Sequence, residues 1–177
     1  MKLFIDTTQS MMMIAFFDPN WKVVKSFNLE VQQKVEQMLN FFNQLDQSFF
    51  KQLKTIYINL GPGSFTGSRI ALLYVRTLAQ MQKLPIFTCS TFELIQTQKQ
   101  LKIDQPIYLY ATNQKSYLWK NQNLTLVTKS NQEQSLDYLN LINNFQIYLP
   151  VFKLTELVNL KPIYGSNPQI GAIKKGN

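Results

Sequence analysis

The chain is 177 residues long and 45% apolar, enough for one domain or two small lobes with a true core. Lys and Arg number 18 against 10 Asp and Glu, a formal charge of +8. The cations are scattered, Lys174-Lys175 being the one adjacent pair, so the charge reads as a basic surface or a weak pull on RNA or an acidic partner, with no basic helix or RNA-binding motif. Histidine is absent, which excludes His-ligated metals and His general bases. The single cysteine, Cys89, excludes an internal disulfide. Without a His partner it reads as a small buried residue rather than a nucleophile.

Leu3 to Ile5 is a short apolar strand ending in Asp6-Thr7-Thr8. Asp6 breaks the opening apolar run, so it is no signal peptide. Met11 to Phe17 is a second strand, far too short to cross a bilayer, and the expected location is cytoplasmic, with no membrane contact. Asp18-Pro19-Asn20 marks a turn, and Trp21 to Leu29 a third strand hairpinned to the second. Val31 to Leu53 reads as one helix whose apolar residues cover an arc of roughly 180°, wider than the stripe of about 100° that one core face needs. Thr55 to Leu60 is a strand. Gly61-Pro62-Gly63-Ser64-Phe65-Thr66-Gly67-Ser68-Arg69 is a glycine-rich turn, and Ile70 to Met81 a helix apolar all round. Ile86 to Cys89 is a strand, and Ser90 or Thr91 caps a short helix from Phe92 to about Lys99 with Glu93 in its first turn. This order belongs to an α/β fold of the ribonuclease-H-like or actin-like kind, an antiparallel meander followed by crossovers.

The polar stretch 98–105 marks a lobe boundary, giving a first lobe over 1–97 and a reduced second lobe over 98–177. Strands are expected at Pro106 to Tyr110, Ser116 to Lys120, Leu124 to Thr128 and Ile147 to Val151. Helices are expected at Glu133 to Asn144 and Thr155 to Leu160, with an extended tail from Pro162. The aromatic residues of this half (Tyr108, Tyr110, Tyr117, Trp119, Tyr138, Tyr148) alternate on strands, and read as core or sheet surface rather than a base-stacking platform.

Two segments could carry chemistry. The glycine loop leads into a helix whose first amides are free, which suits either an anion or close packing of helix on sheet. It is neither a phosphate-binding Walker loop nor a dinucleotide fingerprint, because its glycines fall at the wrong positions. Asp6, Thr7 and Thr8 end the first strand, where an acid of an actin-like lobe can hold a metal-bound water beside phosphates, or simply accept turn hydrogen bonds. Thr7 stands where kinases of that fold carry glycine. A two-metal nuclease would need several carboxylates, and the fourth strand has none.

The loop from Gly61 through Pro62, Gly63, Ser64, Phe65, Thr66, Gly67 and Arg69 closely resembles the signature of the bacterial TsaB (YeaZ) family. Leu3-Phe4-Ile5-Asp6-Thr7-Thr8 resembles that family's opening Ile-Asp-Thr-Ser strand, Cys89 to Leu94 its Ser-Ser/Thr-Leu-Glu segment, and Lys161-Pro162-Ile163-Tyr164 its closing Pro-x-Tyr. The resemblance implies a degenerate actin-like chain with no catalytic residue, metal or cofactor of its own. It implies a scaffold and activator for TsaD, acting with TsaE and an ATP-consuming machinery that makes threonylcarbamoyladenosine at position 37 of tRNAs reading codons that begin with A. It further implies pairing with TsaD, or with a second copy, through the first-lobe helices, and contact with tRNA through the complex. The wide apolar faces of those helices fit such pairing, with Met38, Phe41, Leu45, Tyr74 and Leu78 as the expected interface. Tyr110-Ala111-Thr112 departs from the family's usual Asp-Ala-Arg. The competing reading from the residues is a diverged nucleotide-dependent transferase using Asp6 and the 61–67 loop.

Overall fold

The computed structural model describes residues 1–30 and 34–164. Five strands of the opening half form one twisted sheet: β1 (Lys2–Asp6), β2 (Met11–Phe17), β3 (Val23–Glu30), β4 (Thr55–Asn59) and β5 (Ile86–Cys89). A short strand from far along the chain, β9 (Lys153–Thr155), completes it in the order β3-β2-β1-β4-β5-β9. β1 pairs antiparallel with β2 and parallel with β4, and β4 parallel with β5.

Alternation along the central strands feeds two separate cores, because successive side chains point to opposite faces. Leu3, Ile5, Met12, Ile14, Phe16, Ile56 and Ile58 face one side. Phe4, Met13, Ala15, Phe17 and Tyr57 face the other. A strand covered on both faces has no polar side, which is why Met11–Phe17 is an unbroken apolar run.

On the first face lie α1 (Lys34–Asn43), α2 (Gln47–Lys51) and α3 (Phe65–Gln82). The expected single helix over Val31 to Leu53 is two helices, with 31–33 outside the described residues. Asp46 ends it: its carboxylate accepts from the Ser48 amide at 2.7 Å and caps α2. This break turns Phe49 and Phe50 back onto the same core. The wide apolar arc is thereby absorbed within the chain. Met38, Phe41, Leu45 and Leu78, expected at an interface, are buried in this core, and Tyr74 stacks on Phe42 at 4.1 Å. α3 begins at Phe65 rather than Ile70, so half of the glycine loop is helix. Nor is α3 buried all round: Leu73 is 70% and Met81 78% exposed. The helix stops where Lys83 turns left-handed, its amide donating to the Ala79 carbonyl.

On the second face pack α4 (Thr91–Gln98), α5 (Tyr138–Asn143) and α6 (Phe145–Tyr148), together with a three-stranded antiparallel sheet of β6 (Ile107–Tyr110), β7 (Lys115–Lys120) and β8 (Asn123–Thr128). Trp119 stacks on Phe92 of α4 at 5.1 Å, and Tyr138 and Tyr148 are buried. Three expected elements differ. Ile147 to Val151 is not a strand but the end of α6 and a 3-10 turn (Leu149–Val151). Phe145, Tyr148 and Phe152 recur at helical spacing and reach one core. The helix expected over Glu133 to Asn144 is confined to α5, because Asp137 caps it through the Asn140 amide. Thr155 to Leu160 holds the end of β9 and a 3-10 turn (Leu157–Asn159).

Candidate functional site

β1 and β4 run parallel in register from Lys2↔Thr55 to Ile5↔Ile58, and β4 and β5 to Asn59↔Cys89. Their carboxyl ends bring Asp6, Asn59 and Cys89 to one level, and Thr91 follows at the start of α4. In open α/β sheets this end is where ligands bind.

Here it is filled by a closed hydrogen-bond network. Asp6 is fully buried. One carboxylate oxygen accepts from the Thr8 amide at 2.8 Å and the Thr8 hydroxyl at 2.7 Å. The other accepts from Asn59 Nδ2 at 2.8 Å. That amide nitrogen also donates to Thr91 Oγ1 at 3.0 Å, and Asn59 Oδ1 accepts from the Gly61 amide at 2.9 Å. Thr91 Oγ1 donates to the Pro62 carbonyl at 3.0 Å, and the Thr91 amide donates to the Gly61 carbonyl. Asn59 thus ties β1, the glycine loop and α4 together through one side chain.

Burial pushes the Asp6 carboxyl above its ordinary range, against the opposing pull of the Asn59 and Thr8 donors. Tyr138 lies beside it, buried, with no hydrogen bond of standard geometry to its hydroxyl. Burial, aided by the charges of Asp6 and Glu93, also pushes the Cys89 thiol well up. A thiol so placed stays protonated, so Cys89 is inert, as its lack of a partner base implied. Among the described residues no group of three His, Cys, Asp or Glu is placed to hold a metal ion.

The glycine loop packs directly on the end of β1. A Cβ at Gly63 would sit 2.1 Å from the Thr8 carbonyl oxygen, and one at Gly67 2.1 Å from that of Thr7. Ser64 caps α3, its hydroxyl accepting from the Gly67 amide while its own amide donates to the Thr8 carbonyl. Thr7 Oγ1 donates to the Gly67 carbonyl at 2.6 Å. Gly61 has φ +102° and precedes a cis Pro62. Phe65 and Thr66 open α3, and Arg69 stands exposed one turn on, its Nε donating to the Tyr164 hydroxyl at 2.9 Å. The carbonyls of Thr7 and Thr8 stand where side chains at Gly67 and Gly63 would be, so the loop lies directly against the end of β1, and Asp6 is fully buried.

The structure therefore brings Asp6, Thr7, Thr8 and the 61–67 loop into one site, and holds Met38, Phe41, Leu45, Tyr74 and Leu78 apart from it among the helices of the first face. Asn59 and Thr91 are the members sequence reasoning missed. Their signal was a polar residue closing an apolar strand just before the loop, and a threonine beside the cap residue Ser90.

Neither a protein-family profile nor any curated protein matches the chain. Solved structures do. The chain is similar to YeaZ from Pseudomonas aeruginosa, at 20% identity and a TM-score of 0.54 over 76% of this chain and 63% of that one. It is also similar to an uncharacterized protein described as having similarity to peptidase YeaZ from Pseudomonas aeruginosa, at 15% identity and a TM-score of 0.60 over 93% of this chain and 99% of that one. The chain has the YeaZ fold. It spans less than two thirds of the length of Pseudomonas YeaZ itself. The YeaZ resemblance of the glycine loop and the likeness of the folds point the same way. No helix among the described residues is long and apolar enough to cross a membrane.

Proposed function

We propose that the chain is a non-catalytic subunit of the machinery that forms threonylcarbamoyladenosine at position 37 of tRNA, a scaffold and activator of TsaD. It is an actin-like chain whose second lobe is reduced. The observation that carries this reading is the glycine loop of a YeaZ-like fold filled by the chain's own Thr7 and Thr8. A fold built around a nucleotide turn has kept the turn and lost the cradle. TsaD and TsaE are its partners, tRNA is met through the complex, and ATP is consumed elsewhere in the complex, in the cytoplasm. Alone, the chain pairs with a second copy.

Docking through the first-lobe helices is part of the proposal, with its centre moved. Met38, Phe41, Leu45 and Leu78 serve as the floor beneath the helices. Leu73 and Met81, exposed on α3, take the place of the contact surface.

The transferase reading needs Asp6 within reach of a phosphate. Its burial and its full set of donors argue against that reading. The test is co-expression with the TsaD of the same cell, followed by measurement of threonylcarbamoyladenosine with and without this chain. Co-purification and chain-dependent modification are expected. ATP turnover by the purified chain that disappears in Asp6→Ala would contradict the assignment.

A further inference from the structure

The closing segment, in which Lys161-Pro162-Ile163-Tyr164 matches a motif whose purpose the proposed function leaves unexplained, returns to the glycine loop. Leu160 is buried in the core beneath α3, and Ile163 packs against the same core. The Ile163 amide donates to the Leu60 carbonyl at 2.8 Å. Its carbonyl oxygen lies 3.2 Å from where a Cβ on Gly61 would stand, at the residue whose φ is +102°. One residue on, the Tyr164 hydroxyl accepts from Arg69 Nε at 2.9 Å, with the guanidinium 5.7 Å from the ring centre.

A second link lies further along the same helix. Arg76 Nη2 donates to the Leu157 carbonyl at 2.9 Å. Arg69 and Arg76 are the two arginines of the chain, and both bind this segment. They stand seven positions apart on α3, about two turns, and so share one side of it. Leu157 and Tyr164 are also seven apart, running the opposite way. A span of about 10 Å is much shorter than seven residues can reach, and the slack is used to drop Leu160 into the core. Leu73, exposed, falls on α3 between the two arginines.

We propose that residues 157–164 are a strap, clasped by Arg69 and Arg76, that holds the glycine loop closed on β1 and fixes the first turns of α3. The loop's own bonds to Thr7 and Thr8 close it from beneath. The strap closes it from the outer side, at Leu60 and Gly61, where the turn leaves the sheet. The device makes the angle of α3, and so the presentation of Leu73, depend on the C-terminal segment. It stands independently of any role in tRNA modification.

Amide hydrogen exchange on the whole chain tests this in Tyr164→Ala, Arg69→Gln and the double variant. Both side chains are exposed or partly exposed, so the cores are left intact. The strap predicts exchange over 61–68 about tenfold faster in each single variant, with β2 and β7 at wild-type protection. The double variant should do less than the sum of the two single ones, since both remove the Arg69–Tyr164 contact. Unchanged exchange over 61–68, or acceleration of equal size in β2 and β7, would overturn the proposal. So would additive effects in the double variant.

Discussion

Asp6 and Asn59 are a matched pair, a carboxyl oxygen that accepts facing an amide that is donor on one side and acceptor on the other. Asn59 gives both amide hydrogens, to Asp6 and Thr91, and its oxygen to Gly61. Asp6→Asn sets an amide nitrogen against Asn59 Nδ2. Turning Asn59 over would strip the Gly61 amide of its acceptor. The expected loss is about 1–3 kcal/mol, the cost of one buried unsatisfied group. The exchange Asp6→Asn with Asn59→Asp restores a donor facing an acceptor and should recover more than half of it in urea denaturation. The pH dependence has a definite sign. Burial raises the native pKa of Asp6 above its ordinary value of 3.8, so the native chain keeps this proton to higher pH than the unfolded chain does. Its contribution is full below 3.8 and fades as pH rises through the native value. The stability margin of wild type over Asp6→Asn should thus be widest below pH 3.8 and narrow as the pH rises above it, as paired thermal melts would show. Gly67→Ala, with its Cβ 2.1 Å from a backbone oxygen, should cost at least the 1–3 kcal/mol of an overpacked site. Asp6 and the glycines were legible in the sequence because an acid closing an apolar strand and three glycines within 61–67 stand out from their surroundings. Asn59 was not, since its partners lie 53 and 32 residues away in the chain and only strand register brings them level.

At the scale of elements, local capping chemistry decided where reading succeeded. Ser90 and Glu93 form a full capping box, with the Ser90 amide donating to Glu93 at 2.7 Å and the Glu93 amide to Ser90 Oγ at 3.2 Å. α4 was accordingly legible almost to the residue. Ser90→Ala should destabilise the chain by about 1 kcal/mol, seen as a lower urea midpoint at unchanged slope. The break between α1 and α2 was misread, although Asp46 is just such a cap. The apolar spacing continues across it, so periodicity alone favoured one helix. Likewise the start of α3 was placed too late. Gly67 reads as loop, yet it lies in the helix that Ser64 caps, and it is glycine because the Thr7 carbonyl leaves no room for a side chain there. The run from Ile147 to Val151 is dense in strand formers, and packing of Phe145 and Tyr148 against Phe4, Phe17 and Phe152 overrode that preference.

For the molecule as a whole, the order of strands and helices through residue 97 announced the α/β architecture. The return of β9 to the edge of β5 did not show in the sequence, because a three-residue strand carries almost no pattern. The two apolar helices were recognised, but which of their faces meets solvent depends on the break at Asp46 and could not be counted from an arc. The docking test follows from which side chains are exposed. Phe41→Asp and Leu78→Asp, which place charge in the core, should unfold the chain. Leu73→Asp and Met81→Asp should leave its circular dichroism and melting unchanged while weakening self-association and TsaD binding at least tenfold, as sedimentation and pull-down would show. In the proposed role this chain activates a partner and does no phosphate chemistry at its glycine loop. The direct measurement is threonylcarbamoyladenosine formation on tRNA in a reconstituted TsaD reaction, with wild-type chain, with the Asp6→Asn/Asn59→Asp exchange variant, and with neither. Product is expected with both forms of the chain and little without. Equal product in its absence, or product with wild type that the folded exchange variant cannot support, would contradict that role.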